Sequence, residues 1–301
     1  MGSPGPAAAS DPRSNSSATV AVARLIRGEA LQSESPRPQE QEAMLDILET
    51  SALAAGQAIL EIYRAGPAVT YKADASPVTD ADHRAERIIL ADLAAAFPDI
   101  PIVAEEEVAA GRVPDIAGKR FFLVDPLDGT KEFVERNSHF TVNIGLVENG
   151  APVVGVVYAP ALGLIYSAAA GMAKKAVVED GQVTGEWTTI GCRRCGDRPM
   201  ALTSRWHNSP ETISFLTDQG ISDHEAVGSS LKFCLLAEGI ADIYPRFSRT
   251  MEWDTAAGDA ILRSAGGETL TMAGNPLGYG KRNQSDDSDF ANPWFISRGK
   301  A

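Results

Sequence analysis

The stretch FFLVDPLDGTKEF, residues 121–133, places four apolar residues in front of two aspartates that are three positions apart. The apolar run predicts a buried β-strand that ends on Asp125. The second aspartate, Asp128, comes just before a glycine, a threonine and a lysine. Two carboxylates at the end of a buried strand repel each other, so the pattern needs a cause. A positive ion, a phosphate or a simple turn would each account for it, and the rest of the chain has to decide among them.

Composition and charge limit the class of protein. The chain has 301 residues, 44% of them hydrophobic, which is enough for one large domain or two modest ones. Its formal net charge of −13 argues against general binding to nucleic acid or to an anionic membrane. No apolar run long enough to span a bilayer and no signal-peptide pattern are found. We therefore expect a cytoplasmic protein that is not an integral membrane protein, with peripheral association at the inner membrane face left open. The oligomeric state does not follow from the sequence.

The three cysteines fit a reducing compartment, since a chain of this size does not need disulfides. Cys192 and Cys195 form a CxxC pair, but a structural zinc site needs four ligands, and no second pair with a similar spacing lies nearby. The pair is therefore interpreted as an incidental feature of a loop, with a metal or redox role as the alternative.

Composition divides the chain into three parts. Residues 1–40 are rich in Ser, Pro, Ala and Gln and predict a disordered extension. Residues 41–190 predict an α+β sub-domain with an antiparallel sheet and two helices. Residues 191–301 predict an α/β sub-domain in which strands and helices alternate. The change falls in a polar stretch at about residues 180–200.

Local signals predict the main elements of the first sub-domain. Helical periodicity runs from about Glu42 to a Gly-Pro pair at 66–67, and a second amphipathic helix begins near Thr79 or Asp80 and ends before a proline. Alternating apolar residues on both sides of Glu-Asn-Gly at 148–150 predict an antiparallel hairpin.

Acidic residues stand at the ends of several predicted elements. Taken singly, each has an ordinary explanation: charge at a helix N-terminus, a solvated loop, a turn or a helix cap. Taken together, carboxylates that converge on one place need a cation to offset their repulsion. Because the candidate ligands are oxygen atoms and the chain has few histidines, the pattern favours Mg²⁺, whose coordination shell is commonly completed by a substrate phosphate. A helix that begins at GTKEF would direct free N–H groups at such a phosphate. The pattern predicts a metal-dependent phosphatase, and its acids are Asp80, Asp82, Glu105 to Glu107, Asp125, Asp128 and Asp254.

From about residue 42 to its end, the chain resembles the inositol monophosphatase superfamily of Mg²⁺-dependent, lithium-sensitive phosphatases. The marks are a Glu-Glu pair after a strand, then DPLDGT, then WDTAAG, in the family's order. Within the superfamily, SPVTDAD, DPLDGTKEF, GSSLKFCLLAEG and YPR resemble the 3'(2'),5'-bisphosphate nucleotidases. Inositol-directed members tend to carry Thr-Asn-Phe where this chain has Lys-Glu-Phe at 131–133. The resemblance implies a layered αβαβα sandwich of two sub-domains with the site at their junction.

The resemblance also implies roles for particular residues. Asp82, Glu105 and Thr130 would be catalytic, with the Thr130 hydroxyl held by Asp82 or Glu105 and orienting the attacking water. The implied metal ligands are Glu105, Asp125, the main-chain carbonyl of Leu127, Asp128 and Asp254. The implied substrate-binding residues are Leu127, Asp128, Gly129, Thr130, Ser229, Lys232, Arg246 and Asp254.

The implied substrate is a small phosphorylated molecule, and the implied reaction is Mg²⁺-dependent removal of the 3'-phosphate from adenosine 3',5'-bisphosphate. Lys232 and Arg246, with Arg249 behind them, are candidates for its second phosphate, although each would also pass as an ordinary surface charge. Ser229 and Ser230 would contact ribose or phosphate, or merely cap a helix.

Three other functions remain open at this level. The same chemistry would suit an inositol or sugar phosphatase. A haloacid-dehalogenase-type enzyme would use a strand-end aspartate as nucleophile, but that family spaces its aspartates two apart rather than three. A sensor of phosphorylated metabolites with a decayed site is the non-catalytic alternative.

Overall fold

The structure is a computed structural model that describes residues 38–66, 68–72, 77–117, 119–206 and 208–300. All of these residues belong to one compact unit, Pro36–Ala301. The expected disordered extension, residues 1–40, lies outside the described residues except for its last three, which are helical.

Two helices form the outer layer of the fold. Helix α1 spans Pro38–Ala65, and α2 spans Asp80–Ala96 after a two-stranded ribbon of β1, Val69–Tyr71, and β2, Pro77–Thr79. A capping box starts α2, because the Thr79 hydroxyl accepts from the Ala81 N–H at 3.1 Å while the Thr79 N–H donates to Asp82 Oδ2 at 2.7 Å. The predicted start of this helix is confirmed, and the box places Asp82 beside the end of the ribbon.

A seven-stranded sheet lies against these helices, in the order β3-β4-β5-β6-β7-β8-β9. Only the β3–β4 pair is parallel, and the predicted hairpin of β5 and β6 is confirmed. The short helices α3, Glu105–Ala109, and α4, Thr130–Val134, follow β3 and β4 directly. The strands are β3 Ile102–Ala104, β4 Arg120–Asp128, β5 Thr141–Glu148, β6 Ala151–Ala159, β7 Leu164–Ala169, β8 Met172–Glu179 and β9 Gln182–Ile190.

A five-stranded mixed sheet follows, in the order β11-β10-β12-β14-β13. Strands β10, β11 and β12 are parallel, whereas β14 is antiparallel to both of its neighbours. Its strands are β10 Met200–Ser204, β11 Asp223–Val227, β12 Ile243–Arg246, β13 Glu268–Thr271 and β14 Phe295–Arg298; its helices are α5 Pro210–Asp218, α6 Leu231–Ala237 and α7 Ala256–Ser264.

Strand β6 shows how the layers stack, because its side chains alternate between two helices. Tyr158 packs under Gly56 of α1, and on the opposite face Gly155 lies against Ala257 of α7. Gly155 is paired across the strands with Gly145 of β5, which also contacts α7. The two glycines let the helix backbone approach the sheet closely. The layered α/β sandwich expected from the sequence is confirmed.

The structure differs from the sequence-based expectations in three strands. Residues 172–190 form β8 and β9, although this part was expected to lead into a polar boundary; β9 is an edge strand with mostly exposed side chains, which explains its polar composition. Strand β14 was not predicted, and it lies inside the second sheet rather than at its edge. The first sheet ends at residue 190 and the second begins at residue 200, while the division into sub-domains at this point stays a prediction.

Helix α1 has the length and hydropathy of a membrane-spanning helix. Its apolar residues are buried in the core, with Met44, Leu48 and Ile59 fully covered. We therefore assign it as a core helix of this fold.

Candidate active site

One cavity of about 440 Å³ opens beside the end of β4, and residues from both sheets line it. Of the residues with an implied catalytic, metal or substrate-binding role, Asp82 alone does not line the cavity, and it contacts the Thr130 hydroxyl. The other acids named from the sequence, Asp80, Glu106 and Glu107, are also absent from the wall. The predicted residues in the wall are Glu105, Asp125, Leu127, Asp128, Gly129, Thr130, Ser229, Lys232, Arg246 and Asp254. Strands from distant parts of the chain thus end at one place, as is common for sites in α/β proteins.

Four carboxylates in the wall are close enough to influence one another. Burial raises the pKa of Asp125 well above its usual range, and the charges of Glu105, Asp128 and Asp254 raise it further. Burial also raises the pKa of Asp254, to which Asp128 and Glu105 add. The pKa of Asp128 rises to about 6, again mainly through burial. These groups repel one another in a site that disfavours their charged forms, and a bound cation would relieve both effects.

The loop after Asp125 is organised by short local contacts. Asp125 Oδ1 accepts the Leu127 N–H at 3.0 Å, so the chain turns directly at the strand end. Gly129 follows with a φ of 91°, a left-handed conformation that favours glycine, and helix α4 then begins at Thr130. The Thr130 hydroxyl lies 3.2 Å from Asp82 Oδ1 and 3.2 Å from the Leu127 carbonyl oxygen. Of the two partners left open by the sequence, the structure favours Asp82 over Glu105.

Asp128 is held by residues of both sheets. The main-chain N–H of Ser230, 102 residues away, donates to Asp128 Oδ2 at 2.6 Å, and Asn143 Nδ2 donates to the same oxygen at 3.3 Å. The Ser230 hydroxyl donates to Asn143 Oδ1 at 2.6 Å and lies 3.0 Å from the Thr141 hydroxyl. This buried network holds Oδ2 of the Asp128 carboxylate and leaves Oδ1 for a ligand in the cavity.

Asp254 stands just before helix α7, whose N-cap is Thr255. Its Oδ2 accepts the Met251 N–H at 2.8 Å, which holds the carboxylate in a turn rather than on the helix end. The simple helix-cap interpretation of Asp254 is therefore wrong. The close approach of α7 to Gly145 and Gly155 brings this residue to the end of β4.

Glu105 is the first residue of α3 and already has a cationic partner. Lys72 Nζ donates to Glu105 Oε1 at 2.7 Å and to Glu106 Oε1 at 2.6 Å. Although burial alone would lower the pKa of Lys72, the two carboxylates raise it above its usual value. Glu86 of α2 accepts the Glu106 N–H at 2.9 Å and fixes the start of α3. Glu106 belongs to the acidic cluster named from the sequence, whereas Lys72 and Glu86 were not predicted, because their partners lie 20 to 34 residues away.

The donor set suits Mg²⁺. The cavity wall offers carboxylate oxygens and the carbonyl of Leu127, which are hard oxygen ligands. Within the described ranges, no three Asp, Glu, His or Cys side chains are grouped tightly enough to hold a metal ion by themselves. Mg²⁺ usually takes one or two carboxylates and completes its shell with water and substrate phosphate. The residues therefore fit the implied ion, and their roles as ligands stay predictions.

Two cationic residues also line the cavity, next to the carboxylates. Lys232 is 3% exposed and Arg246 is 7% exposed, so the surface-charge interpretation of both is wrong. Lys232 Nζ donates to the carbonyl oxygens of Val227, at 3.0 Å, and Ser229 and lies over the ring of Tyr244. Burial and the charge of Arg246 lower the pKa of Lys232 to about 7. Two buried cations that repel each other beside a cavity predict an anionic ligand.

One N–H group of the Arg246 guanidinium has no hydrogen-bond partner among the described residues. Its Nη2 donates to the Arg249 carbonyl at 3.1 Å, whereas its buried Nε has no hydrogen-bond partner among the described residues. Arg249 lines the same cavity, but its guanidinium pairs with Asp287 and Ser288. A buried donor without a partner is costly, and this Nε is covered by protein atoms rather than open to the cavity.

Sequence reasoning missed the polar residues that position the ligands. Asn143 is fully buried in the middle of an apolar strand, and this interruption in TVNIGLV was the one local signal of its role. Ser229, in contrast, was predicted; it adopts a φ of 50°, an uncommon value for serine, and its hydroxyl accepts the Leu231 N–H at 3.4 Å. Ser229 lines the cavity and directly precedes Ser230, the N-cap of α6.

The raised pKa values of these carboxylates predict how pH affects stability. A folded pKa above the unfolded value stabilises the protein at acid pH, and this stabilisation is lost as pH rises through the folded pKa. Since Mg²⁺ competes with protons for these carboxylates, it should raise the melting temperature more at pH 8 than at pH 5.5. Thermal unfolding with EDTA or with Mg²⁺ at the two pH values measures this. An equal Mg²⁺ effect at both would contradict the assignment of the buried carboxylates to the metal.

Comparison with known proteins agrees with this geometry. Residues 40–292 match the Inositol monophosphatase family. A Salmonella typhimurium relative named 3'(2'),5'-bisphosphate nucleotidase CysQ is 44% identical over 243 residues, 80% of this chain and 94% of the relative. The Escherichia coli (strain K12) protein of that name is 42% identical over 254 residues, 84% of this chain and 98% of the relative.

Solved structures show the same fold. CysQ from Bacteroides thetaiotaomicron, described as a bacterial member of the inositol monophosphatase family, has a TM-score of 0.69 at 39% identity and covers 85% of this chain and 97% of its own. An IMPase from Thermotoga maritima has a TM-score of 0.67 at 26% identity, with coverage of 85% and 91%. The chain belongs to the inositol monophosphatase family.

Proposed function

We propose that this protein is a Mg²⁺-dependent phosphatase that removes the 3'-phosphate from adenosine 3',5'-bisphosphate. The observation that carries the proposal is one cavity that is lined both by buried carboxylates and by the buried cations Lys232 and Arg246. A phosphate ester bound through metal ions would lie at the carboxylates, and a second phosphate would lie at the two cations. The shared name of the curated relatives supports the same substrate.

The carboxylates and Thr130 have different roles in the reaction. Use of a divalent metal is general in this family, and bound Mg²⁺ would polarise the phosphate ester and make water more acidic. Glu105, Asp125, the Leu127 carbonyl, Asp128 and Asp254 are the groups that would hold it. Thr130 donates its hydroxyl proton to Asp82 or to the Leu127 carbonyl, so its lone pairs stay available to accept from the attacking water.

Asp82 keeps the threonine in this orientation. Burial raises the pKa of Asp82 to about 7, and hydrogen bonds from Thr79 oppose this effect. Since Asp82 Oδ2 is occupied by Thr79, Oδ1 remains for the Thr130 hydroxyl. Asp82 is therefore a positioning residue in this proposal.

The rival functions have less support. An inositol or sugar monophosphate would offer no second phosphate to the buried pair Lys232 and Arg246. A haloacid-dehalogenase-type enzyme would belong to a different family from the one that this chain matches. A sensor with a decayed site does not account for the complete set of carboxylates around the cavity.

Phosphate release from a panel of esters tests the proposal. Adenosine 3',5'-bisphosphate should have a higher kcat/KM than inositol 1-phosphate or fructose 1,6-bisphosphate, with activity dependent on Mg²⁺ and reduced by lithium. Preference for inositol 1-phosphate would overturn the substrate assignment, and Mg²⁺-independent turnover would overturn the mechanism.

The same substrate panel can be measured with a variant of the buried Lys232. Lys232→Met keeps the length of the side chain but removes its charge, and a lost charged hydrogen bond costs about 1.5–3 kcal/mol, or about 10- to 100-fold. We expect this loss in kcat/KM for adenosine 3',5'-bisphosphate and a much smaller one for inositol 1-phosphate. Lys131→Met, an exposed lysine at the cavity rim, is the control. Equal losses on both substrates would contradict a role for Lys232 in binding the second phosphate.

A cytoplasmic location is part of the proposal. The cysteines Cys192, Cys195 and Cys234 are free thiols, as is usual in a reducing compartment. Peripheral association with the inner membrane face gains no support from the described residues.

A further inference from the structure

Glu132 is a carboxylate in the cavity wall that none of the roles above uses. It belongs to the short helix α4, four residues after Asp128, and it is 5% exposed. Its carboxylate lies between two glycines: a Cβ added to Gly228 would stand 2.6 Å from Oε1, and one added to Gly129 would stand 3.4 Å from Oε2. The side chain therefore lies between the loop that carries the metal-site aspartates and the loop that leads to Lys232.

Within the described part of the chain, no side chain donates a hydrogen bond to this carboxylate. Burial raises the pKa of Glu132, while its own main-chain N–H and the charges of Lys232 and Arg205 oppose that effect. A buried carboxylate has room for several donors and is costly to leave with so few. Since Glu132 lines the cavity, a ligand there can supply the missing donor.

The position of Glu132 limits what that donor is. The carboxylate lies beside Gly129, and its charge acts on Asp128, one of the aspartates where the scissile phosphate would bind. A group that reaches it from the substrate is therefore near the ester bond. Phosphate oxygens are excluded because they carry negative charge and accept rather than donate. A neutral hydroxyl on the carbon next to the ester carbon meets both conditions.

Glu132 and Lys232 together form a donor–acceptor pair. Lys232 uses two of its three N–H groups on the carbonyls of Val227 and Ser229, so one N–H remains to donate. Glu132 contributes an acceptor within electrostatic reach of that ammonium group.

We propose that Glu132 is a specificity-determining residue that accepts a hydrogen bond from the hydroxyl adjacent to the scissile phosphate ester, which in a nucleotide is the free ribose hydroxyl. This inference rests on the proposed phosphatase function and deepens it. The site then selects phosphate esters with a neighbouring free hydroxyl and disfavours their deoxy analogues, because removal of the hydroxyl leaves the carboxylate without its donor.

A comparison of ribose and deoxyribose substrates tests this inference. The wild-type enzyme should prefer adenosine 3',5'-bisphosphate over 2'-deoxyadenosine 3',5'-bisphosphate by about 10- to 100-fold in kcat/KM, the value of one hydrogen bond to a charged group. Glu132→Ala should reduce this preference to below about 3-fold, and the isosteric Glu132→Gln should leave an intermediate value. Glu135→Gln, an exposed glutamate three residues further on, should keep the wild-type ratio.

The ratio separates a specificity role from a structural one. A merely structural Glu132 would lower activity on both substrates equally, and an unchanged ratio in folded Glu132→Gln would overturn the proposal. Equal turnover of both substrates by the wild-type enzyme would also overturn it while leaving the phosphatase function intact. Failure to release phosphate from either nucleotide would instead overturn the proposed function. If Glu132→Ala does not fold, the substrate ratios of Glu132→Gln and of the wild-type enzyme still test the role of Glu132 in specificity.

Discussion

Asp125→Asn should lose about 1,000-fold or more of Mg²⁺-dependent phosphate release and yet melt at a higher temperature than the wild type without metal. The loss follows because a metal ion supplies several kcal/mol of transition-state stabilisation, and each 1.36 kcal/mol is a factor of ten. The gain follows because the neutral amide is no longer repelled by Glu105, Asp128 and Asp254. Opposite effects on activity and stability distinguish a metal ligand from a turn residue.

The substitution is conservative in shape. Asn keeps an Oδ1 atom that accepts the Leu127 N–H, which Asp125 accepts at 3.0 Å. Each kcal/mol of stabilisation corresponds to about 2–4 °C in a chain of this size. Phosphate release and thermal unfolding in EDTA measure the two effects.

Asp115→Asn is the matched control for this experiment. Asp115 accepts the Ala117 N–H at 2.9 Å, the same two-residue turn contact, but it lies in an exposed loop away from the cavity. Neither activity nor stability should change there. If Asp125→Asn kept full Mg²⁺-dependent turnover in folded protein, the metal assignment would be wrong.

Gly155→Ala should destabilise the protein by about 1–3 kcal/mol or more and weaken its response to Mg²⁺. A Cβ at Gly155 would lie 2.3 Å from the Ala257 carbonyl oxygen and 2.9 Å from the Ala260 Cβ, and the first of these atoms is backbone that cannot turn aside. Helix α7 must therefore shift away from the sheet. Because Asp254 stands just before α7, the same shift would move this carboxylate away from Asp125.

Thermal unfolding and the Mg²⁺ concentration that gives half-maximal activity measure the two effects. Gly278→Ala is the control, since nothing lies within 4 Å of the added Cβ and its φ is not in the left-handed region. A Gly155→Ala protein with wild-type melting temperature and Mg²⁺ dependence would show that the contact between α7 and the sheet does not position Asp254.

The sequence was enough to predict the helices and strands whose signals come from neighbouring residues. Thr79 and Asp82 lie three residues apart and form the cap that starts α2, so the pattern alone placed this helix start. Strands β5 and β6 followed from alternation and an Asn-Gly turn, in which Asn149 and Gly150 both have positive φ. Strand β14 gave no such signal, because its place inside the second sheet depends on pairing with strands far away in the chain.

The candidate site divides in the same way. The acidic clusters of the sequence contained four carboxylates that line the cavity together with others that do not, and the family resemblance selected those four and supplied Leu127, whose side chain is ordinary core. The contacts that orient these groups could not be predicted. Lys72 with Glu105, Asn143 with Asp128, and Ser230 with Asp128 join residues that are 33, 15 and 102 positions apart.

The stretch at 121–133 by itself determined a buried strand, two repelling carboxylates and a turn into a helix, since each of these depends on neighbouring residues. The tertiary structure alone decided that buried Lys232 and Arg246 line the same cavity as those carboxylates and that the Glu132 carboxylate lies between Gly129 and Gly228. The physical reason is that a charged side chain indicates a ligand only where it is buried. On the surface, water would screen the charges of the same residues. Buried groups of opposite sign around a cavity instead require a ligand of complementary charge.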